Sequence, residues 1–279
     1  MKIKACTINP QYAYLKGFID SLPFKFTTSG DVIYKGRNEL RRFNIDGLSI
    51  VVKSFKVPHF VNKIAYSYFR KSKAQRSYEY GLRLLSLGIH TPDPIAFIEI
   101  QKNGLLTNSY YICLASDYTT FRDIYDQRLE DKLDIVKGVG YFAAKIQKQG
   151  VIHKDFTQGN ILFKKSANGE ILFSLIDINR LVFSNIDIEK GCLMFKGMWE
   201  SEEAIKEMAN AYAKSMGYNE RQVENLVLEN VVRLEIRTDL RNSSSVSEIN
   251  SRKRILSISV YFLSDMCFAS MTLAIVVNL

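Results

Sequence analysis

This 279-residue sequence contains no C-x-x-C pair; its four cysteines, Cys6, Cys113, Cys192 and Cys267, are scattered, and it has only three histidines. That composition excludes the common zinc patterns and offers no disulfide framework, so reduced thiols in a cytoplasm are expected. The N-terminus lacks the apolar core of a signal peptide. Internal repeats are absent, which excludes solenoids and propellers. Long apolar runs are absent too, with one exception. Arg252-Lys253-Arg254 precedes Ile255–Leu279, whose one charge is Asp265. That run is long enough to span a bilayer with the cations on the cytoplasmic side. Asp265 near its middle would be costly there, so a buried terminal helix or strand pair is the expectation.

Acids are also missing from one stretch. Between Lys53 and Arg76 stand Lys53, Lys56, Lys63, Arg70, Lys71, Lys73 and Arg76, interleaved with aromatics and without any Asp or Glu. The whole chain carries a net charge of +9, with a pI near 9.2. Both features favour an anionic partner: a nucleotide, a phosphosugar, nucleic acid or an anionic membrane surface. No recognised nucleic-acid motif accompanies the basic stretch, which ranks nucleic acid below the other three. Hydrophobic residues at 47% and charged residues at 24% are ordinary for a soluble globular chain.

Punctuation along the chain outlines two halves. Tyr12–Leu22 reads as a short helix ended by Pro23. Val32–Lys35, Leu40–Phe43 and Leu48–Phe55 read as antiparallel strands, with turns at Gly36-Arg37-Asn38 and Asp46-Gly47. Ser72 and Gln75 form a capping box that opens a helix ending at Gly88. Its core stripe is read as Ala74, Tyr78, Leu82 and Leu85, with Glu79 beside it. Strands follow at Ile95–Ile100 and Ser109–Ala115. A helical pattern starts at Phe121–Gln127, and a longer helix covers Asp131–Gln149 with Ile135, Val139, Phe142 and Ile146 on one face. Further helices are expected over Glu202–Met216 and Asn219–Ile236, with a loop at Ser243–Ser245.

The chemistry concentrates in Val151–Arg180, VIHKDFTQGNILFKKSANGEILFSLIDINR. Asp155 lies in a polar loop, and Asn160 follows five residues later. Ile161-Leu162-Phe163 and Ile171–Ile176 form a hairpin around Asn168-Gly169. Asp177-Ile178-Asn179 ends the second strand. Two carboxylates and an amide at strand ends suit phosphoryl transfer. One Asp takes or orients the acceptor's hydroxyl proton, while the Asn and the second Asp hold Mg²⁺ on nucleotide phosphates.

HKDFTQGN resembles the H-R-D-x-x-x-x-N catalytic loop of the protein-kinase-like superfamily, and Asp-Ile-Asn stands where D-F-G would be. Within that superfamily, HKDFTQGNILF followed by LIDINR is most similar to the bacterial lipopolysaccharide core kinases, the Kdo/WaaP family. The resemblance covers about Asp31 to Leu181 and weakens afterwards. It implies an α+β, two-lobed protein-kinase-like fold, with a small antiparallel-sheet N-lobe (1–116) and a mainly helical C-lobe (117–279) meeting at a hinge near Ser116-Asp117. It implies ATP and Mg²⁺ as cofactors and a Kdo or heptose hydroxyl of the lipopolysaccharide inner core, or another lipid A-linked sugar, as acceptor. A cytoplasmic location at the inner face of the inner membrane follows, with an anionic membrane surface as a possible contact.

Roles carry over residue by residue. Asp155 is the expected catalytic base, and Asn160 and Asp177 the Mg²⁺ ligands. Lys53, ending Val51-Val52-Lys53, matches the strand lysine that contacts the α and β phosphates. Glu79 is expected to pair with Lys53 and orient it, and Gly36 marks the loop over the phosphates. His153 is expected to bond backbone near the metal-binding turn. The sequence departs from the pattern in three places. The phosphate loop has one glycine instead of G-x-G-x-x-G. Lys154 replaces the arginine of H-R-D, and no A-P-E follows, which sets aside regulation by a phosphorylated loop. Asn179 replaces the D-F-G glycine, and Asn tolerates left-handed geometry better than most residues. Two alternatives share these motifs: a protein kinase, and a nucleotide-binding module without catalysis.

Overall fold

The computed structural model describes residues 2–56, 70–198 and 200–242. The centre of the basic stretch, including Lys63, the Ser243–Ser245 loop and the Ile255–Leu279 run all lie outside those residues. Among the described residues, no helix is long and apolar enough to cross a membrane, and the three cysteines, Cys6, Cys113 and Cys192, are free.

The first half of the chain is a six-stranded antiparallel sheet in the order β1-β5-β6-β4-β3-β2. Its strands are β1 (Lys2–Ile8), β2 (Asp31–Lys35), β3 (Asn38–Ile45), β4 (Leu48–Lys56), β5 (Pro94–Lys102) and β6 (Leu105–Leu114). The two tight hairpins follow from turn chemistry. Asp46-Gly47 and Asn103-Gly104 both hold positive φ, at 50° and 79° and at 53° and 77°. That is the backbone a two-residue type I′ turn requires, and it matches the strands' twist.

Each face of this sheet carries a helix, because strand side chains alternate. Ile50 and Val52 of β4 join Ile98, Tyr110 and Ile112 under α1 (Lys16–Lys25), which contributes Ile19 and Leu22. Val51 and Phe55, on the opposite face, meet α2 (Lys73–Ser86) through Ala74 and Tyr78. Around α1 the structure differs from the sequence expectation. Pro10–Leu15 forms a 3₁₀ turn, and α1 runs through Pro23 instead of stopping there. An interior proline removes one helical hydrogen bond. Burial of Ile19, Leu22 and Phe26 on both sides of it holds the helix regardless.

In α2, the Ser72 hydroxyl accepts the Gln75 amide proton at 3.1 Å, as the capping signal predicts. The Gln75 side chain, however, donates to Glu79 at 3.0 Å and does not return to the cap. The buried positions are Ala74, Ser77, Tyr78, Gly81 and Leu84. Leu82 is exposed and Leu85 half-buried, so the stripe is rotated from the one predicted.

The second half is built on α3 (Leu129–Lys148), whose Ile135, Val139, Phe142 and Ile146 are buried as the periodicity predicts. α4 (Ile188–Leu193), α5 (Glu202–Met216) and α6 (Glu220–Asn242) complete it. Phe121–Gln127 holds only a 3₁₀ turn, Phe121–Ile124. Two small sheets lie against this helical body. One is β10-β9-β7, from β7 (Thr119–Thr120), β9 (Ile161–Lys165) and β10 (Ile171–Leu175). The other pairs β8 (Val151–His153) with β11 (Leu181–Phe183), His153 opposite Leu181.

One ion pair in this half is fully desolvated. Lys132 Nζ lies 2.8 Å from Glu200 Oε2, with both side chains 3% exposed, and also donates to the Tyr125 carbonyl at 2.7 Å. Removing one member leaves a buried charge without its partner, at a cost of about 3–5 kcal/mol. Urea unfolding of Glu200→Ala is therefore expected to show a stability loss of that order. The apolar double variant Lys132→Met/Glu200→Leu should recover most of it. A single variant as stable as the wild type would contradict the desolvated pair.

Candidate active site

β4 brings Lys53 to the site. Lys53 shares its sheet face with Val51 and Phe55, and its Nζ sits 5.3 Å from the centroid of the Phe55 ring. From there Nζ reaches Asp177 Oδ1 at 2.8 Å. The two residues are 124 positions apart in sequence, so this ion pair joins the sheet to the helical half. Both side chains border a cavity of about 780 Å³ between the two halves. That volume is in the usual range for a small-molecule site. Its walls are apolar at Leu40, Val51, Leu162 and Ile178, and polar at Arg37, Lys53, Asn160 and Asp177.

The loop after β8 is held by hydrogen bonds that converge on Ile176. The Ile176 amide donates to the Asn160 carbonyl at 3.0 Å. The Ile176 carbonyl lies 3.1 Å from His153 Nε2. The Asp155 amide donates to His153 Nδ1 at 3.2 Å, which makes Nδ1 the acceptor and places the ring proton on Nε2. The Asn160 side-chain amide donates to the Asp155 carbonyl at 2.8 Å, so Asn160 Oδ1 remains to face the cavity. The Asp155 carboxylate has no hydrogen-bond or ion-pair partner among the described residues. His153 is 0% exposed and bridges the two loops as expected. Its burial holds the imidazole below its ordinary pKa, with the Ile176 carbonyl opposing that shift.

Two site expectations need correction. Glu79 does not pair with Lys53. It pairs with Lys71 at 2.7 Å and accepts from Gln75 at 3.0 Å, on the outer face of α2. Ser77 is the α2 residue that borders the cavity, and Glu79 lies about 200° further round the helix. The second correction concerns the turn after β10. Asp177 itself takes the left-handed conformation at φ 54°, while Asn179 sits in the 3₁₀ turn Ile178–Arg180 and donates to Asp177 Oδ1.

Gly36 forms the tip of the β2–β3 hairpin, where its amide donates to the Asn38 carbonyl at 3.0 Å. A Cβ at Gly36 would meet the Tyr34 hydroxyl at 2.5 Å, so the glycine there makes room for that ring. Its neighbours Tyr34, Arg37 and Asn38 border the cavity. Arg37 and Ser77 were not singled out from the sequence as site residues. A cation in the phosphate loop's turn was the available signal for Arg37, and a serine on a helix carries none.

Among the described residues no cluster of three or more His, Cys, Asp or Glu could hold a metal alone. The site offers the Asn160 amide oxygen and the Asp177 carboxylate. Two hard oxygens suit Mg²⁺, which completes its shell with water and phosphate oxygens, and do not suit structural zinc.

A strand lysine, a His-x-Asp loop and an acidic turn around one interlobe cleft define a phosphotransferase of two-lobed protein-kinase-like fold. The chain belongs to the lipopolysaccharide kinase (Kdo/WaaP) family, whose model matches residues 40–184. Among solved structures it is similar to WaaP in complex with acyl carrier protein, with a TM-score of 0.59 and 14% identity over 84% of this chain and 98% of that one. It also matches a Rio2 kinase–ADP/Mg²⁺–phosphoaspartate complex from Chaetomium thermophilum, with a TM-score of 0.45 and 14% identity over 90% of this chain and 78% of that one. No curated protein matches the sequence.

The depressed pKa of His153 has a consequence for stability. As pH falls below about 6.5, the unfolded chain takes up a proton at this position before the folded chain does. Stability is therefore full above that pH and declines as acid is added, until the folded-state pKa is passed. Urea midpoints measured from about pH 7.5 down to about pH 5.5 should fall for the wild type, and fall less steeply for His153→Gln. Equal slopes would show that His153 is not a buried neutral ring.

Proposed function

We propose that the chain transfers the γ-phosphoryl group of ATP to a hydroxyl of a lipopolysaccharide inner-core sugar, Kdo or heptose, at the cytoplasmic face of the inner membrane. The observation that carries this reading is the convergence of Lys53, Asn160 and Asp177 on one cavity, with the Asp155 backbone carbonyl bonded to the Asn160 amide and its carboxylate without a partner among the described residues.

The apolar walls at Leu40, Val51, Leu162 and Ile178 suit a purine ring. Lys53 is a compact point charge suited to phosphate oxygens. Asn160 and Asp177 would hold Mg²⁺, which neutralises charge on the phosphates as the leaving group departs. The acceptor oxygen forms a bond to the γ-phosphorus as the bond to the β-phosphate oxygen breaks, and ADP leaves. Asp155 takes the proton that the hydroxyl gives up. The lobes would divide at Ser116-Asp117, into 1–116 and 117–279. Lys154, next to Asp155 in the chain, and Arg122 have no ion-pair partner among the described residues. The Arg122 guanidinium packs against Gly159, where a Cβ would be 2.8 Å from Nη2. Two cations on or against this loop suit an acidic or phosphate-bearing acceptor and a nearby anionic membrane surface.

The Asp155→Asn variant keeps the shape of the side chain and removes the proton acceptor. Turnover with ATP and purified lipopolysaccharide should fall by about a hundredfold or more, while MgATP affinity stays close to wild type. Asp177→Ala should show the opposite pattern, with weaker and less Mg²⁺-dependent nucleotide binding. Wild-type turnover in Asp155→Asn would remove that residue from the chemistry.

A further inference from the structure

The α2 helix is turned so that its one acid, Glu79, faces away from Lys53, and a serine faces the cavity instead. Ser77 borders the cavity beside Lys53 and Asp177. Lys73 lies one turn earlier on α2, and residues four apart share a helix face. The Ser77 hydroxyl donates to the Lys73 carbonyl at 2.9 Å, which fixes that turn. Arg37 also borders the cavity, from the tip of the β2–β3 hairpin, the loop with only one glycine. Glu79, the nearest acid on α2, is taken by Lys71 and Gln75 on the far face. Neither Lys73 nor Arg37 has an ion-pair partner among the described residues.

We propose that Lys73 and Arg37 form a second cationic clamp on the nucleotide's phosphate chain, joining Lys53 and taking over the anion-holding work of a glycine-rich loop. This inference rests on the kinase reading above and deepens it. A glycine-rich loop holds phosphate through backbone amides in a close turn. The β2–β3 hairpin of this chain is too poor in glycine for that turn, and it carries a guanidinium at the tip instead. Guanidinium and ammonium groups bind phosphate oxygens by charge-assisted hydrogen bonds. The surroundings of Lys73 point the same way. It is half-buried, and its pKa is lowered first by that burial and then by Arg37, with Arg76 and Lys53 adding to the shift and Asp177 opposing it. Several cations thus share the single carboxylate of Asp177, and a polyphosphate is the anion that would balance them.

The test is equilibrium binding of ATP, ADP and adenosine to the full chain, by calorimetry, at low and high salt. Wild type is compared with Lys73→Met, Lys73→Arg and Arg37→Met. Lys73→Met and Arg37→Met should each weaken ATP and ADP by about tenfold or more, as expected for one lost bond between charged groups. Adenosine affinity should not change, and Lys73→Arg should bind ATP within about threefold of wild type. The loss should shrink at high salt, where screening already weakens the wild type. ATP affinity equal to wild type in Lys73→Met would overturn the clamp. So would an equal loss of adenosine binding, which would mark Lys73 as a fold residue. A wild type that binds adenosine and ATP equally would overturn it as well, whereas a wild type that binds no nucleotide would sink the kinase reading itself.

Discussion

The site depends on one residue whose backbone is engaged on both sides. The Ile176 amide is held by the Asn160 carbonyl and its carbonyl by His153. Asp155 and Asn160 come from one loop and Asp177 from another, and Ile176 is where the two loops are fastened. The next residue, Asp177, must then turn sharply, which it does with left-handed backbone. A buried donor is needed to close this arrangement. The neutral ring of His153 provides it, because it accepts from Asp155 on one nitrogen and donates to Ile176 from the other. A charged ring could not accept, which ties the geometry of the carboxylates to the protonation state of a side chain far from solvent.

From that fastening the rest of the site extends across the cleft. Asp177 meets Lys53, which β4 carries in from the sheet. The register of β4 decides where the lysine points, since Val51 and Phe55 on the same face are packed against α2. A one-residue slip would turn Lys53 toward α1 and exchange it with a core side chain. The sheet therefore does more than support a loop: its packing on two helices sets the direction of the charge that ties the two halves together. The charge pattern around the cleft is uneven. Arg37, Arg42 and Lys53 border it, against one carboxylate, Asp177, among the described residues. A donor rich in phosphate fits that excess of positive charge.

What could be read from the chain alone follows physical locality. HKDFTQGN and LIDIN lie within one short stretch, joined by a hairpin, so their spacing in sequence constrains their spacing in space. The Asp46-Gly47 turn was legible because two successive positive φ angles admit few residue types. The α3 face was legible because Ile135, Val139, Phe142 and Ile146 bury against a single large core. α2 was not, because it packs between the sheet and the Ile178 turn. Contact on two sides buries Ser77 and Gly81, small or polar residues that no hydrophobic stripe marks, and leaves Leu82 outside. The Glu79–Lys53 pair was expected from the resemblance, and the rotation of α2 turns Glu79 to Lys71 instead. Asn179 was read by analogy to a glycine, whereas the bond pattern at Ile176 places the left-handed residue at Asp177. The Lys53–Asp177 contact joins residues 124 positions apart and had no local signal.

The central claim is that this arrangement moves phosphate from ATP onto a core sugar. It is tested most directly by incubating the purified chain with ATP labelled on its γ-phosphate and lipopolysaccharide from cells lacking the protein. The products are then followed by mass spectrometry of the released core oligosaccharide. The account predicts one labelled phosphate on an inner-core Kdo or heptose, dependent on Mg²⁺. Label on protein side chains with an unmodified core would contradict it and favour a protein kinase, and an unlabelled core with intact ATP would leave a nucleotide-binding module without catalysis.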